Sequence, residues 1–164
     1  MNTISKKVKY YVSFQYKNSE KAAFGCGIVE VVSIEGRKIK LTLHDLSVPA
    51  TTRIGGMALG MIKVLDRIKN YPKQGFLVEV FCDNKEAISL YTKKVFEWEK
   101  LGWTLEKGGE LTEREELKNL AKELHAFEKE EITIEYENPP TRNMLVAQAC
   151  ATAAWEKARK AGGK

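Results

Sequence analysis

Apolar residues recur along this chain with two periods, and the switches between them mark out the elements. Lys7 to Tyr16, KVKYYVSFQY, is rich in valine and aromatics and predicts a strand. KNSEKAA is a polar turn, and Phe24 to Ser33, FGCGIVEVVS, predicts a second strand. Ile34 to Arg37 is a turn. Lys38 to His44, KIKLTLH, alternates with period two and predicts a third strand. These three elements suit an antiparallel meander. The period then lengthens. Ile54, Met57, Met61, Val64, Leu65 and Ile68 fall on one helical face, with Ser47 to Thr52 available to cap it and Tyr71-Pro72 to end it.

Phe76 to Cys82 is apolar except for Glu79 and predicts a fourth strand. A helix beginning near Asn84 carries ISLYTKKVFEWEKLGW until Gly102 interrupts it. Gly108-Gly109 marks a loop, and LTEREELKNLAKELHAFEK is strongly periodic. Ile132 to Tyr136 predicts a fifth strand, broken by Asn138-Pro139-Pro140. Asn143 to Ala158 predicts a last helix, and the closing GGK a frayed tail. The order β-β-β-α-β-α-α-β-α calls for a five-stranded mixed sheet. Three antiparallel strands are extended by two parallel ones, with helices on both faces. With no repeat and no dividing linker, residues 1–164 are expected to form one domain with a core from about 8 to 158.

Composition narrows the function classes. No run approaches the ~18 apolar residues of a membrane span, and MNTISKKVKYY lacks the apolar segment of a secretory signal, so a cytoplasmic, membrane-free protein is expected. Cys26, Cys82 and Cys150 stand far apart in apolar contexts and suit small buried hydrophobes; with His44 and His125 they form no zinc spacing. The net charge of +5 is compatible with a polyanionic partner. Residues 1–100 hold 17 Lys+Arg against 10 Asp+Glu, and residues 101–164 hold 10 against 12, so the excess lies early in the chain.

Asp83 is the first candidate for chemistry, because α/β folds place their sites at the carboxyl ends of strands. Asp83-Asn84 also reads as a helix cap or turn. Gly55, Gly56 and Gly60 each cost a helix about 1 kcal/mol relative to alanine, which implies close approach by a neighbour, a ligand or a frayed first turn. Met57 and Met61 read as core.

The order and four of its stretches resemble the type 1 ribonuclease H family, from about Val8 to Ala158. The stretches are FGCGIVEV, TTRIGGMALGMIKVLDRI, VEVFCDNKEAI and WEKLGWTLEKGGELTEREELKNL. The resemblance implies a ribonuclease H-like fold and two-metal phosphodiester hydrolysis, in which carboxylates hold two magnesium ions ~4 Å apart. The family draws its four carboxylates from the first strand, first helix, end of the fourth strand and last helix. Only the third is matched, by Asp83. The first-strand position falls near Gln15, within a segment Met1 to Ser19 that has no acid. The first-helix position falls on Met57, and the last-helix position on Ala147 or, with a slip, Val146. The family's histidine-bearing loop is here YENPPTRN, without histidine. Asp83 alone would bind magnesium weakly.

The same resemblance makes Thr51, Thr52 and Arg53 a phosphate contact, which hydroxyls and backbone amides at a helix start suit; capping explains them as well. Lys85, Lys93 and Lys94 could track phosphates or simply form a solvated face. Trp98 and Lys100 belong to a region that is a basic handle in the family. Here Glu97, Glu99 and Glu106 offset Lys100 and Lys107, and Trp98 and Trp103 read also as core.

The leading expectation is an inactive ribonuclease H-like protein that binds an RNA/DNA hybrid or duplex without cutting it. The alternative is a protein-interaction module on the same fold. A third reading is a residual nuclease recruiting Glu79, Glu86 or Glu137 around Asp83. No cofactor is expected, with Mg2+ or Mn2+ required only if activity remains.

Overall fold

The computed structural model describes residues 5–17, 22–69, 71–104, 113–127 and 131–161. The expected Gly108-Gly109 loop and GGK tail, most of the KNSEKAA turn and the outer ends of the LTEREELKNLAKELHAFEK helix lie outside the described residues. Five strands form one sheet in the order β3-β2-β1-β4-β5. They are β1 (Lys6–Tyr16), β2 (Ala22–Ile34), β3 (Arg37–Thr51), β4 (Leu77–Cys82) and β5 (Ile132–Tyr136). The first three pair antiparallel, while β4 joins β1 and β5 joins β4 in parallel. The expected mixed sheet is therefore present. Glu35 (φ 54°) and Gly36 (φ 75°) turn β2 into β3 in the left-handed conformation that suits a two-residue hairpin.

The third strand outruns its expected end at His44 and continues through Pro49 to Thr51. Proline offers no N–H and would interrupt an inner strand, but β3 is an edge, where no outer ladder is lost. Helix α1 (Arg53–Ile68) follows, and a short 3₁₀ turn, Pro72–Gln74, leads to β4. The expected helix after Asn84 is real but uneven. Helix α2 (Lys85–Ser89) passes through a π turn, Leu90–Lys94, into α3 (Val95–Lys100). Gly102 and Trp103 then take positive φ. Helices α4 (Arg114–His125) and α5 (Arg142–Ala161) complete the chain. Among the described residues no helix is long and apolar enough to cross a membrane.

The main core lies between the sheet and α1 to α4. Val8, Tyr10, Val12, Ile28 and Val80 meet Met57, Met61, Leu65, Leu90 and Leu120 there. Gly56 and Gly60 lie where side-chain carbons would strike Phe24 and Phe14, so close packing explains both glycines. The opposite face is covered by α5 over β1 to β3. Methyl groups at Gly25 and Gly27 would collide with the α5 backbone at Ala151, Trp155 and Ala147. These two glycines set the seat of α5, and Met144, Ala147, Ala151, Ala154 and Ala158 form its buried stripe.

Candidate functional site

Strand β4 delivers Asp83 to the point where β1, α2 and α5 converge. Val12 pairs with Cys82 in the parallel register, which puts Ser13 beside Asp83. The buried Ser13 hydroxyl donates to Asp83 Oδ2 at 2.9 Å, and Gln148 Nε2 of α5 donates to the same oxygen at 2.9 Å. The carboxylate is half-buried and held by two neutral donors from two other elements. The cap role belongs to its neighbour. Asn84 Oδ1 accepts from the Ala87 N–H at 3.0 Å, and its Nδ2 donates to the Tyr16 hydroxyl at 3.2 Å.

The residues that face Asp83 are thus Ser13 and Gln148, neither of which the sequence reading singled out. Gln15 lies two residues further along β1, paired with Gly25. Ala147 is buried against Tyr11, Val29 and Val31, one position from the residue that reaches Asp83, and Val146 is exposed. Met57 is fully buried, and its carbonyl accepts from the Tyr91 hydroxyl at 2.7 Å. Register alone separates Ser13 from Gln15 and Gln148 from Ala147, and register is a property of paired elements.

The expected phosphate contacts differ in their partners and exposure. Thr52 caps α1, accepting from the Gly55 N–H at 3.1 Å, and Thr51 closes β3. Arg53 reaches across to α2, where its Nε lies 2.6 Å from Glu86 Oε1 and its Nη2 2.9 Å from Glu86 Oε2. This bidentate contact holds the guanidinium above its usual pKa, with the hydrogen bond to Glu86 the largest cause. Lys85 lies 5.3 Å from the Tyr136 ring centre. Lys93 and Lys94 are exposed on the π turn and Lys100 at the end of α3. Trp98 and Trp103 pack against the main core. Glu99 Oε1 accepts from His125 Nε2 at 2.8 Å, while Glu106 and Lys107 lie outside the described residues.

Cys26 and Cys82 are buried and Cys150 half-buried, all three free. Burial pushes the Cys82 thiol up to about 12 and the Cys26 thiol higher still, which leaves both unreactive near neutral pH. Among the described residues no group of three or more His, Cys, Asp or Glu side chains is placed to hold a metal ion.

A second carboxylate, missed in the sequence, is more deeply set. Glu30 of β2 is fully buried beneath α1, where it accepts from the Tyr10 hydroxyl and meets His44 Nε2 at 3.2 Å and Arg67 Nη2 at 3.3 Å. Burial favours its neutral form, but the bonds from Tyr10 and His44 and the charge of Arg67 outweigh burial and lower its pKa. Its partners come from three separate elements, and FGCGIVEVVS carries no sign of them.

No protein-family model matches the sequence, and no curated protein does. Solved structures do match. LC9-RNase H1, a type 1 RNase H with the type 2 active-site motif, superposes with a TM-score of 0.71 at 17% identity over 93% of this chain and 74% of that one. The foamy viral protease-reverse transcriptase in complex with dsDNA gives 0.70 at 17% identity, over 92% of this chain and 94% of that one. LC11-RNase H1 in complex with an RNA/DNA hybrid gives 0.58 at 15% identity, over 93% and 99%. Sheet order, helix placement and these superpositions together assign the chain the ribonuclease H-like fold.

Proposed function

We propose that this protein binds an RNA/DNA hybrid or a duplex and does not cleave it. The observation that carries the reading is the environment of Asp83, whose contacts are a serine hydroxyl and a glutamine amide. Two-metal hydrolysis needs several converging carboxylates to offset the charge of two cations. One carboxylate with two neutral neighbours does not fit a pair of magnesium ions. Binding without cleavage is supported by the exposed cations Lys93, Lys94 and Lys100, and by the nucleic-acid complexes among the similar structures. Arg53 is less available than its position implies, because Glu86 already occupies it.

The test is fluorescence anisotropy with labelled hybrid, duplex RNA and duplex DNA at two salt concentrations, with Mn2+ present. Intact probe bound with a steep salt dependence, and weakened by Lys93→Glu/Lys94→Glu, is the expected result. Manganese-dependent cleavage abolished by Asp83→Asn would instead establish the residual nuclease. A second reading, a protein-docking module, is favoured by one feature: Ile39, Leu41 and Leu43 stand exposed on the long edge strand β3. A stoichiometric protein partner combined with no nucleic-acid binding would select it.

A further inference from the structure

A row of lysines without ion pairs lies at the other end of the sheet from Asp83. Lys7, Ser33 and Lys38 form one row across β1, β2 and β3, paired Lys7 with Ser33 and Ser33 with Lys38. Val8, Tyr10 and Val32 face the main core, so this row faces the opposite side, the side of α5. The helix stops short of it. The buried contacts of α5 with the sheet reach Tyr11 and Val31, and in the next row Lys7 and Lys38 are exposed and Ser33 half-buried. Strands lie about 4.8 Å apart, so the Lys7 and Lys38 backbones stand about 10 Å apart with the Ser33 hydroxyl between them. Lys9, two residues along β1, adds a third cation. Ser5, Lys7, Lys9, Ser33 and Gly36 line a cavity of about 240 Å³.

The neighbouring acids leave these lysines available. Glu35 Oε1 accepts from the Ser5 N–H at 2.9 Å. Glu79 stands beside Lys9 in register, yet among the described residues Lys7, Lys9 and Lys38 have no ion pair. Lys6, by contrast, is engaged with the Gln74 carbonyl and the Phe76 ring. Gly36 presents open backbone at the turn, with nothing within 4 Å of where a side-chain carbon would stand.

We infer that Lys7, Lys9, Ser33 and Lys38 form a phosphate-binding site for a chain of phosphate groups, and that a nucleic-acid backbone supplies it. The site is separate from the Asp83 surface and rests on the proposed function only for the source of the phosphate. Lys7 and Lys9 stand about 7 Å apart along β1 and Lys7 and Lys38 about 10 Å apart across the sheet, a spread of positive charge that suits several phosphates of a chain better than a single small anion. Lys9 and Ser13 are four residues apart on one strand, about 13 Å.

The experiment has two arms. In the first, anisotropy with labelled hybrid compares wild type, Lys7→Glu/Lys38→Glu and a control of equal charge change on α5, Lys157→Glu/Lys160→Glu. Lys7 and Lys38 are exposed, so the fold should survive, and far-UV circular dichroism checks it. The site predicts at least a tenfold loss for the first variant, with a log-log salt slope shallower by about 1.8, against a much smaller change in the control. In the second, wild-type amide resonances are followed by NMR during titration with inorganic tripolyphosphate and, separately, with a short oligodeoxynucleotide. Saturable shifts at Ser33, Gly36 and Lys38 with both ligands support the site and its source. Shifts with tripolyphosphate alone keep the phosphate site, overturn the nucleic-acid source and count against the proposed function. Hybrid binding that responds equally to both variants, without shifts at these amides, overturns the site and leaves the proposed function standing.

Discussion

At its carboxyl end β1 offers Ser13 to Asp83, and at its amino end it carries Lys7, exposed, and Lys9, half-buried. The two ends share a strand and a sheet face but differ in how charge is treated. At the Asp83 end three charges have a local partner: Ser13 and Gln148 for the carboxylate, Glu86 for Arg53, the Tyr136 ring for Lys85. At the other end Lys6 is held by the Gln74 carbonyl and the Phe76 ring, while Lys7, Lys9 and Lys38 have no ion pair among the described residues. The difference teaches where an outside polyanion gains most. Charges already paired must lose those partners to bind, whereas unpaired lysines give up only water and counterions.

The largest expected effect comes from removing what both ends depend on. Gly27→Val drives a side chain into the α5 backbone, lifting the helix that carries Gln148 and borders the lysine row. A loss of about 3 kcal/mol or more is expected in urea unfolding. A loss under ~1 kcal/mol would mean α5 is not seated on the glycines.

Glu30→Gln tests the middle of the sheet, between the two ends. It strips the charge from a buried group that Tyr10, His44 and Arg67 all address, and about 2 kcal/mol should be lost at neutral pH. The sign with pH follows from the lowered pKa of Glu30. Its contribution is full above the ordinary carboxyl value of 4.5 and is lost as pH falls from there through the lower folded value. Stability of the wild type measured from pH 6 to pH 2 should therefore drop more steeply than that of the variant. Parallel curves would deny Glu30 its role.

Smaller effects bear directly on Asp83. Asp83→Asn keeps an oxygen for Ser13 and Gln148, so stability should shift by less than ~1 kcal/mol, and hybrid affinity should rise by about two- to threefold as one negative charge disappears. A tenfold loss of Mg2+-dependent affinity would show instead that Asp83 holds a cation. Arg53→Ala should be the mildest change. Its exposed pair with Glu86 is worth under ~1 kcal/mol, and hybrid affinity should move by less than about threefold.

Much of this arrangement was legible beforehand. The apolar run ending at Cys82 placed Asp83 at a strand end, and the helical spacing of Met57, Met61 and Leu65 placed α1 on the core. What was not legible had one cause in each case. Pro49 hid the length of β3 because edge position is not written in a local pattern. Ser13 and Gln148 were passed over for Gln15 and Ala147 because one or two residues of register decide which side chain meets Asp83. Glu30 passed as an ordinary strand residue because its partners lie 20, 14 and 37 residues away.

The sequence by itself determined the order of elements, the absence of acids from Met1 to Ser19, and the surplus of lysine and arginine in the first 100 residues. Periodicity and composition are local, and a single chain states them outright. Only the tertiary structure decided that Asp83 would meet a hydroxyl and an amide, that Arg53 would be occupied, and that Lys7 and Lys38 would flank Ser33 in one row. Those outcomes depend on how strands align and where a helix lies across them, and that alignment is fixed by packing between residues far apart in the chain.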